Sequence, residues 1–179
     1  MKRSIVLVCL ILAFAGCQQA PQQAATTDNS QNERQEAAKR LFAQGIVLLQ
    51  KQNVKGAVES LEASIKVDPT DPNPYLVLGE ILIKAQQYDR AVDFLDQTAK
   101  NFPNNGAVFY MLSLANKSAD KILPAVLSAK RSFEIFKTNG DAEMAKTSAV
   151  LVEELIKEGQ QEENAKELAA KAAAAKAKK

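Results

Sequence analysis

Between residues 38 and 105 large apolar side chains recur at helical spacing, interrupted at regular places by short polar turns. Leu41, Leu48 and Leu61 have counterparts at Tyr75, Leu82 and Leu95, each 34 residues further on. Gly45 repeats as Gly79, Ala57 as Ala91, Ser64 as Thr98 and Pro69 as Pro103. Apolar residues three and four apart predict amphipathic helices, and a period of this length predicts stacked helical units. The small residues have a packing reason. Gly45 and Gly79 let the second helix of a pair approach the first, and Ala57 and Ala91 do the same from the opposite helix, where a larger side chain would wedge the pair apart. Pro69 and Pro103 stop the second helix of each unit, and Asp71-Pro72 fits an N-cap followed by proline in the first turn.

A third copy, 106–139, keeps Phe109, Leu112-Ser113 and Ala125 on the same grid, but Asn116, Ala129 and Lys137 replace the expected apolar residues and proline. Pro124 marks the first turn of its second helix. Asn139-Gly140-Asp141 offers a turn and a cap, after which Met144, Val150-Leu151 and Leu155-Ile156 predict one more helix, to about 158. The order of residue types, with its 34-residue period, resembles the tetratricopeptide repeat. That resemblance implies an all-α fold: a short right-handed α-solenoid of helical hairpins, closed by a C-terminal capping helix. The domain would span 37–159, with repeats at about 38–71, 72–105 and a degenerate 106–139, then a capping helix over 140–159.

The flanks read differently. A basic Met-Lys-Arg start, an apolar run from Ile5 to Ala15 and a small-residue exit predict a signal peptide over 1–16, too short to span a bilayer core that needs about 20 residues. Phe14-Ala15-Gly16-Cys17 resembles the lipobox of bacterial lipoproteins, with Phe14 where leucine is usual. The resemblance implies that Cys17 is acylated and becomes the first mature residue, leaving with Cys9 gone no pair for an intrachain disulfide; the alternative is an ordinary signal peptide with an incidental cysteine. Two or three acyl chains anchor durably. Gln18, in place of aspartate, implies outer-membrane sorting, at the periplasmic face. Residues 17–36, polar and carrying Pro21, predict a disordered tether, spanning on the order of 25 Å as a flexible coil. The Ala/Lys-rich tail, 160–179, has no apolar stripe to dock it and predicts an exposed helix, one that solubilises or touches anionic headgroups or an acidic partner.

Charge and composition narrow the function. Without Lys2 and Arg3 the chain holds 21 basic and 21 acidic residues, so nothing general favours nucleic acid. It has no histidine, the commonest general base and metal ligand. A carboxylate-dependent hydrolase would need two acids facing across a cleft, and the expected groove offers only Glu80. Asp89, Asp93 and Asp96 share a helix but no loop shapes them into a cation site. We expect no enzyme, no metal and no cofactor.

In tetratricopeptide folds the first helices line a concave groove. The resemblance places Lys39, Phe42, Ile46 and Leu49 there from the first repeat. Asn73, Leu76, Val77, Glu80 and Ile83 follow from the second, and Ala107, Tyr110, Met111, Leu114 and Lys117 from the third. The Lys/Asn/Arg clamp of chaperone-type members is missing, since Phe42, Ile46, Val77, Ala107 and Met111 occupy its places. The remaining apolar trough suits a hydrophobic or amphipathic partner segment, unless residues 144–156 fold back over it or the chain pairs with a second copy. The expectation is therefore a membrane-anchored adaptor, similar to pilotins of type IV pilus and secretion systems or to other envelope-assembly lipoproteins. The alternative is a carrier whose groove holds a hydrophobic small molecule.

Overall fold

The computed structural model describes residues 23–177; the signal segment 1–16, Cys17 and the start of the expected tether lie outside the described residues. Seven helices follow one another: α1 (Gln23–Gln50), α2 (Val54–Val67), α3 (Asn73–Lys84), α4 (Tyr88–Asn101), α5 (Gly106–Ser118), α6 (Ile122–Thr138) and α7 (Ala142–Ala177). α1/α2, α3/α4 and α5/α6 form three hairpins, and α7 packs along α6.

The 34-residue grid is the packing code. A Cβ on Gly45 would come within 2.9 Å of the Leu61 side chain, and one on Gly79 within 2.7 Å of Leu95. Both leucines are fully buried, as are Ala57, Ala91, Ala125 and Ala129. In the third unit Ser113 takes the glycine position and donates its hydroxyl to the Ala125 carbonyl at 2.8 Å, so the polar atom is not left dry and unpaired. Asn116, fully inside the fold, donates to the Leu112 carbonyl at 3.0 Å. The irregular third copy therefore folds as the others do.

The turns within the hairpins repeat as well. Gln52, Gln86 and Asp120 occupy one column of the grid and are the non-glycine residues with positive φ, at 59°, 57° and 56°, among the described residues. Each closes its helix with a Schellman pair, the next residue donating to Leu48, Leu82 or Asn116. Between hairpins, α2 and α4 stop two residues before Pro69 and Pro103. α6 lacks that proline, because Lys137 stands there, and runs on to Thr138 before Gly140, at φ 77°, ends it. Asp71 accepts from the Asn73 N–H at 3.0 Å, with Pro72 already helical, and Asp141 accepts from the Met144 N–H at 3.0 Å. Both caps sit where the sequence places them.

Three expectations need correction. The tether read over 17–36 is helical from Gln23 onward, an extension of α1. Glutamine, alanine, glutamate and arginine carry little helix penalty, residues 26–30 (TTDNS) carry more, and continuity with an already nucleated helix carries the backbone through both. Side chains from Ser30 to Glu36 are exposed. The boundary between cap and tail at 159/160 is absent, since α7 is one helix of 36 residues. A single Gly159 costs about 1 kcal/mol in a helix interior, which the alanines, lysines and glutamates around it offset. Finally, α7 buries Ala145, Ser148, Leu151 and Leu155, leaving Val150 47% and Ile156 39% exposed. The close approach of α6 selects the small residues for the seam: the Ser148 and Ser132 hydroxyls meet at 3.0 Å, and Ser132 lies 2.9 Å from the Gly106 carbonyl. No described helix is long and apolar enough to cross a membrane.

Candidate functional site: the concave face

The first helices α1, α3 and α5 bring the expected groove residues onto one side of the solenoid, but not with equal freedom. Phe42, Ile46 and Leu49 of α1 and Val77 of α3 are half-buried, and none is among the side chains packed on the two main buried clusters. Leu76, Ile83 and Met111 also rest on the cluster formed by Ala91, Leu95, Ala99, Val108, Leu112 and Ala115, so they are partly structural. Ala107 is half-buried beside them in sequence.

The third-unit end of the trough is flanked by α7. Tyr110 and Leu114 pack on the cluster of Ala125, Val126, Ala129, Leu151 and Leu155, which α7 completes. Lys117 reaches Glu158 of α7 at 3.2 Å. Leu114 is thereby partly structural, whereas Tyr110 lines an open cleft with Val150 and Leu151 of α7 and Lys117 stays in part exposed: an array ending on an unpaired helix must bury that helix's apolar side somewhere.

The other polar groove residues are held by neighbours close in sequence. Lys39 pairs with Glu36 at 2.8 Å. Their mutual hydrogen bond and attraction lower the Glu36 carboxyl below its ordinary range and raise the Lys39 ammonium above its own. Glu80 pairs with Lys84 at 2.6 Å, and the Asn73 amide donates to Asp71 at 2.7 Å. Behind the groove, Tyr75 meets Phe102 edge-on, with ring centroids 5.4 Å apart, and burial raises its phenol. Of the three aspartates on α4, Asp89 reaches Lys121 at 2.7 Å and Asp96 reaches Lys100 at 2.7 Å. No cluster of three metal-ligating side chains occurs among the described residues.

One surface escaped the sequence reading. Leu123 and Leu127 of α6 are 70% and 59% exposed. The grid could have flagged them, because the same columns hold Lys55 and Glu59 in α2 and Asp89 and Asp93 in α4.

With this geometry in place, the comparisons converge. The fold is a tetratricopeptide-repeat solenoid. Residues 48–115 match the tetratricopeptide repeat family model. No curated protein sequence matches the chain. Among solved structures, the TPR2B domain of yeast Sti1 in its complex with pHsp70 is similar, with a TM-score of 0.62 at 15% identity over 69% of this chain and 98% of that one. PcrH in complex with the chaperone-binding region of PopD gives a TM-score of 0.60 at 16% identity, over 68% and 92%. The Yersinia enterocolitica type III secretion translocator chaperone SycD gives 0.61 at 14%, over 69% and 95%. At such identities the likeness establishes the fold alone.

Proposed function

We propose that this protein is an adaptor that binds a partner protein through the α1 and α3 part of its concave face, anchored by a lipid at Cys17. The observation that carries the reading is the row Phe42, Ile46, Leu49 and Val77. These apolar side chains sit half-buried on the first helices, outside the two main buried clusters, while α7 packs beside the other end. Apolar surface left open beside a polar rim suits the apolar stripe of an amphipathic helix or extended segment. The rim residues Lys39 and Glu80 would orient such a segment by charge. Two of the similar structures, by their own descriptions, hold protein segments: PopD's chaperone-binding region on PcrH, and pHsp70 on Sti1. The absent carboxylate clamp argues for recognition by apolar shape instead of a chain terminus.

The anchor reading rests on the sequence around Cys17, and with Gln18 it directs the protein to the periplasmic face of the outer membrane. A pilotin-like role, delivering or stabilising an envelope complex, fits an anchored domain with an apolar trough. Ile46→Glu combined with Val77→Glu should abolish co-purification of the partner while keeping helicity; undiminished co-purification would move the interface elsewhere. Cys17→Ala should end fatty-acid labelling, and labelling that persists would overturn the anchor.

A further inference from the structure

The chain contains two Asn-Gly steps, Asn105-Gly106 and Asn139-Gly140, and the fold treats them in opposite ways. Such a step is chemically special. The main-chain nitrogen that follows an asparagine can attack the side-chain amide carbon. Glycine, with no Cβ and the widest choice of backbone angles, hinders that attack least. In a folded protein the reaction waits on local opening of the chain, so its rate follows how cheaply the turn opens.

Asn105-Gly106 is locked. Asn105 caps α5, and its side-chain oxygen accepts from the Val108 N–H at 3.2 Å. Gly106 is buried against α6: a Cβ there would come within 2.8 Å of the Phe136 ring, and its carbonyl accepts from the Ser132 hydroxyl at 2.9 Å. Freeing this step means undoing the α5/α6 seam. Asn139-Gly140 has no such restraint. It forms the turn between α6 and α7, both residues are exposed, and a Cβ on Gly140 would meet nothing within 4 Å. The Gly140 N–H donates to the Lys137 carbonyl at 3.2 Å, whereas the equivalent bonds of the Gln52, Gln86 and Asp120 turns measure 2.9, 2.9 and 3.0 Å. With Asn139 at ψ −4°, the Gly140 nitrogen eclipses the asparagine's own nitrogen, so the turn must rotate before attack. That rotation gives up the 3.2 Å bond and the 2.9 Å bond from the Asp141 N–H to the Phe136 carbonyl, with no packed side chain to displace.

We infer that Asn139 is a site of spontaneous deamidation, so that the protein ages at the joint between α6 and α7 while Asn105 keeps its amide. The Gly140 nitrogen, its proton lost to water or hydroxide, bonds to the Asn139 side-chain carbon. The bond from that carbon to Nδ2 breaks, and the nitrogen leaves as ammonia with a proton returned by solvent. Water then opens the cyclic imide. Attack at the former side-chain carbonyl leaves an aspartate in an unchanged main chain. Attack at the main-chain carbonyl leaves an isoaspartate, with the chain running through the side-chain carbon. Either product sets a carboxylate at the negative C-terminal end of α6, where the helix dipole disfavours it. The isoaspartate also lengthens the main chain by an extra carbon at the joint that holds Leu151 and Leu155 of α7 against Ala125, Val126 and Ala129 of α6.

Peptide mapping by mass spectrometry of the purified full chain, kept folded in mildly alkaline buffer over a time course, tests this. The mass difference between an amide and an acid marks a converted peptide, and chromatographic retention separates aspartate from isoaspartate. Asn139 should convert at least about tenfold faster than Asn105, because the cost of opening the turn, and not the dipeptide, sets the difference. Both products should form at Asn139, faster as the pH is raised. In concentrated urea, where both turns are open, the two rates should come within about threefold of each other. Equal rates in the folded protein, an Asn105 that converts first, or an Asn139 that keeps its amide while the protein stays folded would overturn the proposal. So would a difference between the two sites that persists undiminished in urea, since it would then owe nothing to the fold.

Discussion

Replacing Gly79 by alanine in α3 separates close helix pairing from mere helicity. A methyl there would sit 2.7 Å from Leu95 Cδ2 and 3.0 Å from its Cγ. Leu95 is fully buried, surrounded by Ala91, Ala99, Val108 and Leu112, so it has little room to turn away. Overpacking of this kind costs about 1–3 kcal/mol, against about 1 kcal/mol gained from alanine's better helix propensity. The expected net result is a loss of up to about 2 kcal/mol. Leu95→Ala alone should cost about 2–5 kcal/mol through lost burial and a cavity. In the double variant the new methyl projects into the space the leucine leaves, so the combined loss should fall short of the sum by about 1 kcal/mol or more. Urea unfolding followed by circular dichroism measures all three. An additive cycle, or Gly79→Ala more stable than the parent by the full propensity gain of about 1 kcal/mol, would refute the close approach of α3 and α4.

Other expectations follow from single contacts. Ser132→Ala removes the hydroxyl that satisfies both the Gly106 carbonyl and Ser148, and should cost about 1–3 kcal/mol in thermal or urea unfolding; no loss would mean that these groups are wetted. Gln86→Gly relieves a left-handed backbone at φ 57° and should be neutral to stabilising by up to about 1 kcal/mol, whereas Gln86→Val should destabilise. Asp68 accepts from the Thr70 N–H at 3.0 Å and its hydroxyl at 2.6 Å, and those bonds hold its carboxyl below the ordinary range. Because the folded value is the lower one, the contribution is present above the unfolded value and is lost as pH falls below about 4. Asp68→Asn should therefore flatten the acid limb of the stability profile, and an unchanged limb would assign that slope to other carboxylates.

The hairpins were legible because their packing depends on residue size at fixed intervals. Gly45, Gly79, Ala57, Ala91 and Ala125 could be placed before any coordinate was known, and so could the capping role of Asp141. The left-handed turn column was hidden, since Gln52, Gln86 and Asp120 bear no mark of positive φ; there the Schellman hydrogen bonds outweigh a local preference of about 1–2 kcal/mol. The ends misled for a different reason. Polar, charged sequence such as Gln31–Glu36 is compatible with coil and with helix, and its state is decided by continuity with α1. On α7 both faces carry apolar residues, so periodicity alone did not choose between Val150 and Ala145. Seam width chose, and it favoured alanine and serine. The same choice sets α7 beside Tyr110 and Leu114, a fold-back that the apolar residues of 144–156 made one of the alternatives.

A partner seated on the first helices α1 and α3 would lie within reach of Ile46 and Val77. A photoreactive phenylalanine analogue placed singly at either position, and at the exposed positions Glu62 and Asp96 of the second helices as controls, reports such a partner when irradiated in cells. One discrete protein adduct is expected from positions 46 and 77, absent from 62 and 96. Adducts of equal yield from the control positions, or none from 46 and 77 while the partner still co-purifies, would contradict that seating.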